Sequence, residues 1–244
     1  MTVVKKIWAP KPYDLLAEQL REAILGGDIA EGQALPTERE LVEQTGLTRG
    51  SVREALKQLS AEGLVETRPG RFGGNIATLP DRDNIANSIG QFVRGRRLPL
   101  RTLHETRDML EPALARLAAV HRTDEKLSHL HRLHEELVAS VDSFHVFSRM
   151  NMKWHRAVAS AAGNDLLSAT LEAISFGVAV STTIDEYDTP ETRGQVIRAH
   201  GKILAAIESG EGHIAERRMR RHISATHARA TDVESTDVPL SLEE

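Results

Sequence analysis

The stretch that decides the fold runs from Leu35 to Val65, LPTERELVEQTGLTRGSVREALKQLSAEGLV. Thr37 followed by Glu40 has the spacing of a capping box, in which hydroxyl and carboxylate each satisfy an orphan backbone donor at a helix start. The helix that opens near Glu38 is expected to run to about Gln44, with Gly46 supplying the positive φ that closes a helix. Thr48 caps a second helix, whose Val52, Ala55, Leu56 and Leu59 recur at helical spacing and form one buried stripe. So short a turn between two caps predicts a helix-turn-helix, with the second helix held out toward a DNA major groove by its N-terminal end.

On that second helix Arg49 and Arg53 share a face away from the apolar stripe, Lys57 continues it, and Gly50 and Ser51 keep the approach slim. Guanidinium groups grip phosphates or make forked bonds to guanine. Alone, the three cations would equally suit the solvated face of an amphipathic helix. The residues after Gly63 favour DNA: two β-prone pieces, Leu64 to Arg68 and Asn75 to Leu79, flank a Gly-rich turn and predict a hairpin wing. Arg68 and Arg71 charge its tip, and Gly70 permits close approach to a backbone or minor groove.

Charge does not make this a generally basic protein. The chain has 244 residues and a formal net charge of −4. Residues 1 to 80 hold ten Lys or Arg against eleven Asp or Glu, a balance of −1. Binding must therefore rest on local patches, since phosphate contacts act within a Debye length of about 8 to 10 Å. With 40% hydrophobic content the chain can bury a real core. No run reaches the roughly 18 apolar residues of a membrane span, and no signal-peptide core follows the N-terminus, so a cytoplasmic, nucleoid-associated protein is expected. Absence of cysteine excludes disulfides and thiolate metal sites.

The run Leu35-Pro36-Thr37-Glu38-Arg39-Glu40-Leu41, then Thr48-Arg49, Val52 to Leu56, Leu59 and Glu62-Gly63-Leu64 resembles the winged-helix domain of the GntR family of bacterial transcription regulators. That resemblance implies DNA contacts at Arg39, Arg49 and Arg53, with Gly70 at the wing tip; Ser51 and Arg71 complete the expected DNA-binding set. Phe72 stands where a glycine is common in the family.

In chain order, a short arm to Pro12 precedes a first helix at 13 to 25, ended by Gly26-Gly27, and Ile29 to Leu35 forms an extended connection able to pair with the wing. A linking helix is expected at 84 to 95. The domain plan is thus a winged helix-turn-helix at 1–80, a linker at 81–99, an all-helical effector-binding and dimerisation domain at 100–231, and a disordered acidic tail at 232–244. From Leu100 the pattern predicts six helices, at 101–121, 124–140, 142–162, 164–185, 190–209 and 211–231, whose short turns require an antiparallel bundle. The fold class is mainly α.

Histidines are the chemical clue in the bundle. Asn151 and His155 lie four apart, hence on one helical face. His200 and His222 stand at nearly equal distances from the turn near 210, so antiparallel packing brings them level. The other histidines at 121, 129, 131 and 134 read as solvated surface. Asn151 to His155, Ala161 to Asn164, Leu167, Ala199-His200 and His222, with Arg107, Glu111, Leu117 and Ala118-Ala119, resemble the C-terminal ligand-binding (FCD) domain of the FadR-type subgroup. There an Asp or Asn with three His often holds a divalent metal, which carries over to Asn151, His155, His200 and His222, with zinc or nickel as the ion. Many members use Asp where this chain has Asn151. The resemblance also places Arg107 in the effector pocket; the alternative reading is that Arg107 only pairs with Glu111 one turn on, or with another bundle carboxylate.

Three neutral imidazoles and a carboxamide leave a divalent charge uncompensated, so a small organic acid is the expected effector. The resulting reading is a homodimeric regulator, a repressor, on a palindromic operator of double-stranded DNA. Two other readings of the bundle are a metal-dependent hydrolase, because three histidines with an open position also suit hydrolytic zinc, and a ligand-free dimerisation module.

Overall fold

The computed structural model describes residues 10–70, 74–181 and 189–230. The chain divides into two compact units, the first ending at Asn84 and the second beginning at Ile85.

In the first unit α1 (Pro12–Leu25) starts with proline at its first position, where no intrahelical N–H is needed. Then come α2 (Glu38–Thr45), α3 (Arg49–Ala61), β1 (Val65–Arg68) and β2 (Gly74–Ala77). The capping box forms as expected: Thr37 Oγ1 accepts from Glu40 N at 3.2 Å while Thr37 N donates to Glu40 Oε2 at 2.7 Å. Gly46 closes α2 in the left-handed region at φ 70°, and Thr48 Oγ1 accepts from Ser51 N at the start of α3. The stripe Val52, Ala55, Leu56 and Leu59 is buried against Leu16, Leu20 and Ile24 of α1 and Leu41 of α2. A forked bond from Arg21 to Glu62, at 2.8 and 2.7 Å, ties α1 to the end of α3.

The wing pairs Val65 with Ala77 and Arg68 with Gly74, antiparallel. The expected pairing of the connection with the wing is present: Ala34 bridges Ile76, and Leu35 N donates to Asn75 O at 2.8 Å. Residues 71–73 at the tip, and with them Arg71 and Phe72, lie outside the described residues, as do the acidic tail and the expected last turn of the helix at 164–185.

The linking helix, α4 (Arg82–Gly95), begins two residues earlier than expected. Asp81 and Asn84 explain the shift, each side chain accepting from the other's backbone N–H, at 2.9 and 3.1 Å, which makes Asp81 the cap. Six further helices follow: α5 (Leu100–His121), α6 (Asp124–Ala139), α7 (Phe144–Ala161), α8 (Asp165–Ser181), α9 (Pro190–Glu208) and α10 (Gly212–Ala230). Together with the first unit they make ten helices and one two-stranded sheet among the described residues. α5 is the spine of the bundle, lying against α7, α8, α9 and α10. Leu103, Leu114, Trp154, Ile203, Ile207 and Met219 fill the core around it. None of the described helices is long and apolar enough to cross a membrane.

Thr37→Ala removes the hydroxyl half of the capping box and should lower the stability of the first unit by about 1 kcal/mol, read from the midpoint of urea unfolding. Thr37→Ser should retain most of it. An alanine variant as stable as the parent would show that the box contributes nothing.

Candidate DNA-reading face and histidine centre

The start of α3 is presented as a reading element. Arg49 and Arg53 are exposed on successive turns, while the half-buried Ser51 has its hydroxyl 3.0 Å from Thr48 Oγ1, within the cap. Each cation with a resolved partner on this face is matched to a carboxylate. Arg53 Nε donates to Glu38 Oε2 at 2.9 Å, Lys57 reaches Glu54 at 2.9 Å, Arg68 reaches Glu66 at 3.0 Å, and Arg39 stands 3.7 Å from Glu43. Solvent screens such pairs to about 0–1 kcal/mol, so a phosphate or base edge can displace the carboxylate at little cost. Glu38, Arg53, Lys57 and Asn75 line one cleft of about 550 Å³ between the helices and the wing. Gly70, at φ 112°, makes the wing turn in a conformation that side chains avoid.

The pairing of Glu38 with Arg53 was not legible in sequence. Fifteen residues separate the two, and only the crossing of α2 over α3 brings them together.

In the bundle, the expected convergence of His155, His200 and His222 is observed. His200 Nε2 lies 3.0 Å from His222 Nε2, which lies 3.4 Å from His155 Nε2, and one ligand nitrogen from each ring falls within 4.8 Å of the others. α7 supplies His155; α9 and α10 supply the other two across the turn where Gly210 takes φ 74°. His155 and His200 are buried and His222 is half-buried. Burial, then the neighbouring His222 and His155, hold the His200 imidazole well below its ordinary pKa, so it is neutral with a lone pair to give. Trp154 stacks on that ring with centroids 3.8 Å apart.

One helical turn before His155, Asn151 has its Oδ1 buried with no hydrogen-bond partner among the described residues. An orphaned acceptor on the face that carries His155 invites an electropositive ligand.

Behind His155 stands Glu111 of α5. Its Oε2 accepts from His155 Nδ1, and its Oε1 accepts from Arg107 Nε. Burial alone would raise the Glu111 pKa, but Arg107 and His155 outweigh it and hold the carboxyl at about 2. Glu111 is therefore ionised and accepts the Nδ1 proton of His155, which leaves His155 Nε2 facing His222. Arg107 is thus paired with Glu111, as one of the two sequence readings allowed. The sequence shows Arg107 and Glu111 one turn apart, yet the 44-residue reach from Glu111 to His155 becomes visible only in the bundle.

The donor set fits a divalent ion. Zinc–nitrogen bonds of about 2.0–2.1 Å in a tetrahedron put nitrogens about 3.3 Å apart, close to two of the three spacings, with the third inside 4.8 Å. Among the histidines expected at the surface, His134 is half-buried beside Gly201, and His121 Nδ1 bonds Ala162 O at 2.9 Å.

A winged helix-turn-helix followed by a helical bundle is the plan of a DNA-binding transcription regulator. Residues 12–71 match the gntR family of bacterial regulatory proteins and residues 102–225 match the FCD domain; the chain belongs to the GntR regulators that carry an FCD domain. It is 28% identical over 229 residues to the Glc operon transcriptional activator of Escherichia coli strain K12, covering 91% of this chain and 89% of that one. It is also 28% identical over 222 residues to the HTH-type transcriptional repressor NanR of Enterobacter sp. strain 638, covering 89% and 85%. A solved Streptococcus agalactiae GntR structure shares the fold at TM-score 0.67, with 23% identity over 89% of this chain and 99% of that one. These families and relatives are transcription regulators rather than enzymes.

Glu111→Ala strands the Arg107 charge, since both side chains are 2% exposed, and should destabilise the bundle by about 3–5 kcal/mol. Arg49→Ala, at an exposed helix start, should change stability by less than about 0.5 kcal/mol. Calorimetry of both variants checks this; equal melting temperatures would mean that the buried pair is not where the structure has it.

Proposed function

We propose that this regulator is a cytoplasmic, nucleoid-associated repressor that binds a palindromic operator as a homodimer. A small carboxylate metabolite, bound at a divalent ion on Asn151, His155, His200 and His222, would modulate its operator affinity. The observation that carries the sensing half is the approach of three imidazole Nε2 atoms inside the bundle, beside an unpartnered carboxamide oxygen. Imidazole ligands suit zinc or nickel. In this reading Arg107, already engaged with Glu111 through Nε, offers its terminal nitrogens to the acid by charge-assisted bonds.

In the reading half, Arg39, Arg49, Ser51 and Arg53 meet the major groove and its flanking phosphates, and Gly70 and Arg71 of the wing meet the neighbouring backbone. The functional division is a DNA-binding domain at 1–80, a linker at 81–99 and a sensing and dimerisation domain at 100–231. α4 is the element through which the bundle acts, because Ile89 and Val93 pack on the bundle core while the helix begins within the first unit. Relatives carry both regulatory signs in their names; repression is the sense in which a clamped dimer simply excludes polymerase from its site. The coupling required is modest, since a tenfold change in operator affinity takes about 1.4 kcal/mol.

Two measurements test the proposal. In a band-shift titration on the DNA upstream of its own gene, Arg53→Ala should weaken binding by about 1–3 kcal/mol, and unchanged affinity would remove Arg53 from base reading. Native mass spectrometry should show a dimer with a bound divalent ion that His200→Ala lacks. If chelator-stripped protein responded to organic acids on the operator as the loaded protein does, the metal-dependent sensing would be refuted.

A further inference from the structure

Between α9 and α10 runs a groove of about 220 Å³, lined on one side by Val196, Ala199 and Lys202 and on the other by Arg218, Arg221 and His222. Three cations and no carboxylate line it among the described residues. That composition departs from the reading face, where cations sit against Glu side chains. Arg218 is held in place by donating through Nη1 to the backbone carbonyl of Lys202, across the two helices. Lys202 and Arg221 are exposed along the rim.

His222 links this groove to the histidine centre. It is among the residues that line the groove, and its Nε2 is 3.0 Å from His200 Nε2. A molecule lying in the groove therefore touches a member of the cluster and three positive charges at once. At about 220 Å³ the groove is below the roughly 300–1,000 Å³ of ordinary ligand pockets. That suits a small acid rather than a nucleotide or a peptide.

We infer that the effector is doubly anionic: one carboxylate goes to the histidine centre and a second anionic group, carboxylate or phosphate-like, goes to Lys202, Arg218 and Arg221. This rests on the sensing role proposed for the histidine centre, which by itself requires only one acid group. The second group would gain charge-assisted hydrogen bonds from an arginine positioned beforehand by its bond to a main-chain carbonyl, which lowers the ordering cost of binding.

The test uses the zinc-loaded full-length protein and three probes that share a short chain: butyrate, succinate and 3-phosphonopropionate. Calorimetric titration should find the two dianions at least about tenfold tighter than butyrate, the gain for one charge-assisted bond. Arg221→Gln and Lys202→Gln, both at exposed positions, should bring the ratio of succinate to butyrate affinity toward one. Arg217→Gln, an exposed cation on α10 outside the groove, should keep the ratio, which separates local recognition from the general field. If succinate and 3-phosphonopropionate both bind tightly, the groove recognises charge; if only one does, its geometry selects the head group, and either result supports the second site. Equal affinities for butyrate and succinate, or a preference that survives Arg221→Gln and Lys202→Gln, would overturn the inference while metal-dependent butyrate binding left the sensing centre standing. No binding of any probe to loaded protein would overturn both.

Discussion

One buried carboxylate organises the chemistry of the bundle. Glu111 on α5 is 2% exposed, and an isolated charge at such depth would protonate rather than stay ionised. Arg107, one turn earlier on the same helix, removes that option. With its charge matched, Glu111 has one oxygen left to accept the Nδ1 proton of His155. That bond orients the His155 ring and turns its other nitrogen toward His200 and His222. The ion pair thus matters less as a source of stability, which buried pairs seldom provide in net terms, than as the device that aims a lone pair from a helix on the far side of the core.

Much of this architecture could be read from local chemistry. Thr37 with Glu40, Gly46 and Thr48 each satisfy backbone groups within four residues, so the helices they bound were legible without tertiary information. The six-helix bundle was equally open to reading, because its helices are separated by strong breakers such as Gly163, Pro190 and Gly210. Even the histidine centre was partly visible: i,i+4 spacing aligned Asn151 with His155, and equal distance from one turn levelled His200 with His222. What could not be read depends on side chains meeting across helices. Glu38 against Arg53, Glu111 against His155 and the cationic groove beside His222 all arise from packing, and no periodicity of one helix encodes the partner on another. The start of α4 failed to read for a smaller reason. Asp81 is an ordinary cap, but a reciprocal Asp–Asn arrangement has weaker sequence contrast than a Thr–Glu box.

The first unit raises a different electrostatic point. A DNA-binding head with a balance of −1 over its first 80 residues cannot rely on a broad positive field. Glu38 and Glu66 go further and partially neutralise the arginines that would face the duplex. Exposed pairs of this kind are cheap to exchange, so their effect falls mainly on nonspecific affinity, where a phosphate contact by Arg53 or Arg68 must first displace an internal partner. A base edge that offers two acceptors to one guanidinium compensates for that exchange better than a single phosphate oxygen does. If these arginines meet the duplex as proposed, the arrangement would favour discrimination between sequences over tight binding to any DNA.

The same accounting of charge applies at the histidine centre, with the opposite outcome. Glu111 cannot neutralise a divalent ion, because its charge is already matched by Arg107. His200 is neutral, and a carboxamide adds none. An ion held there would keep close to its full charge in a buried site, and water would compensate it poorly. In the sensing role proposed above, a carboxylate ligand would lower that cost and the ion would strengthen the ligand's attachment, so that the two would bind cooperatively. A chain with Asp in place of Asn151 would carry part of the compensation itself and gain less from an acid. On that proposal Asn151 would be the residue that makes the centre dependent on what it binds.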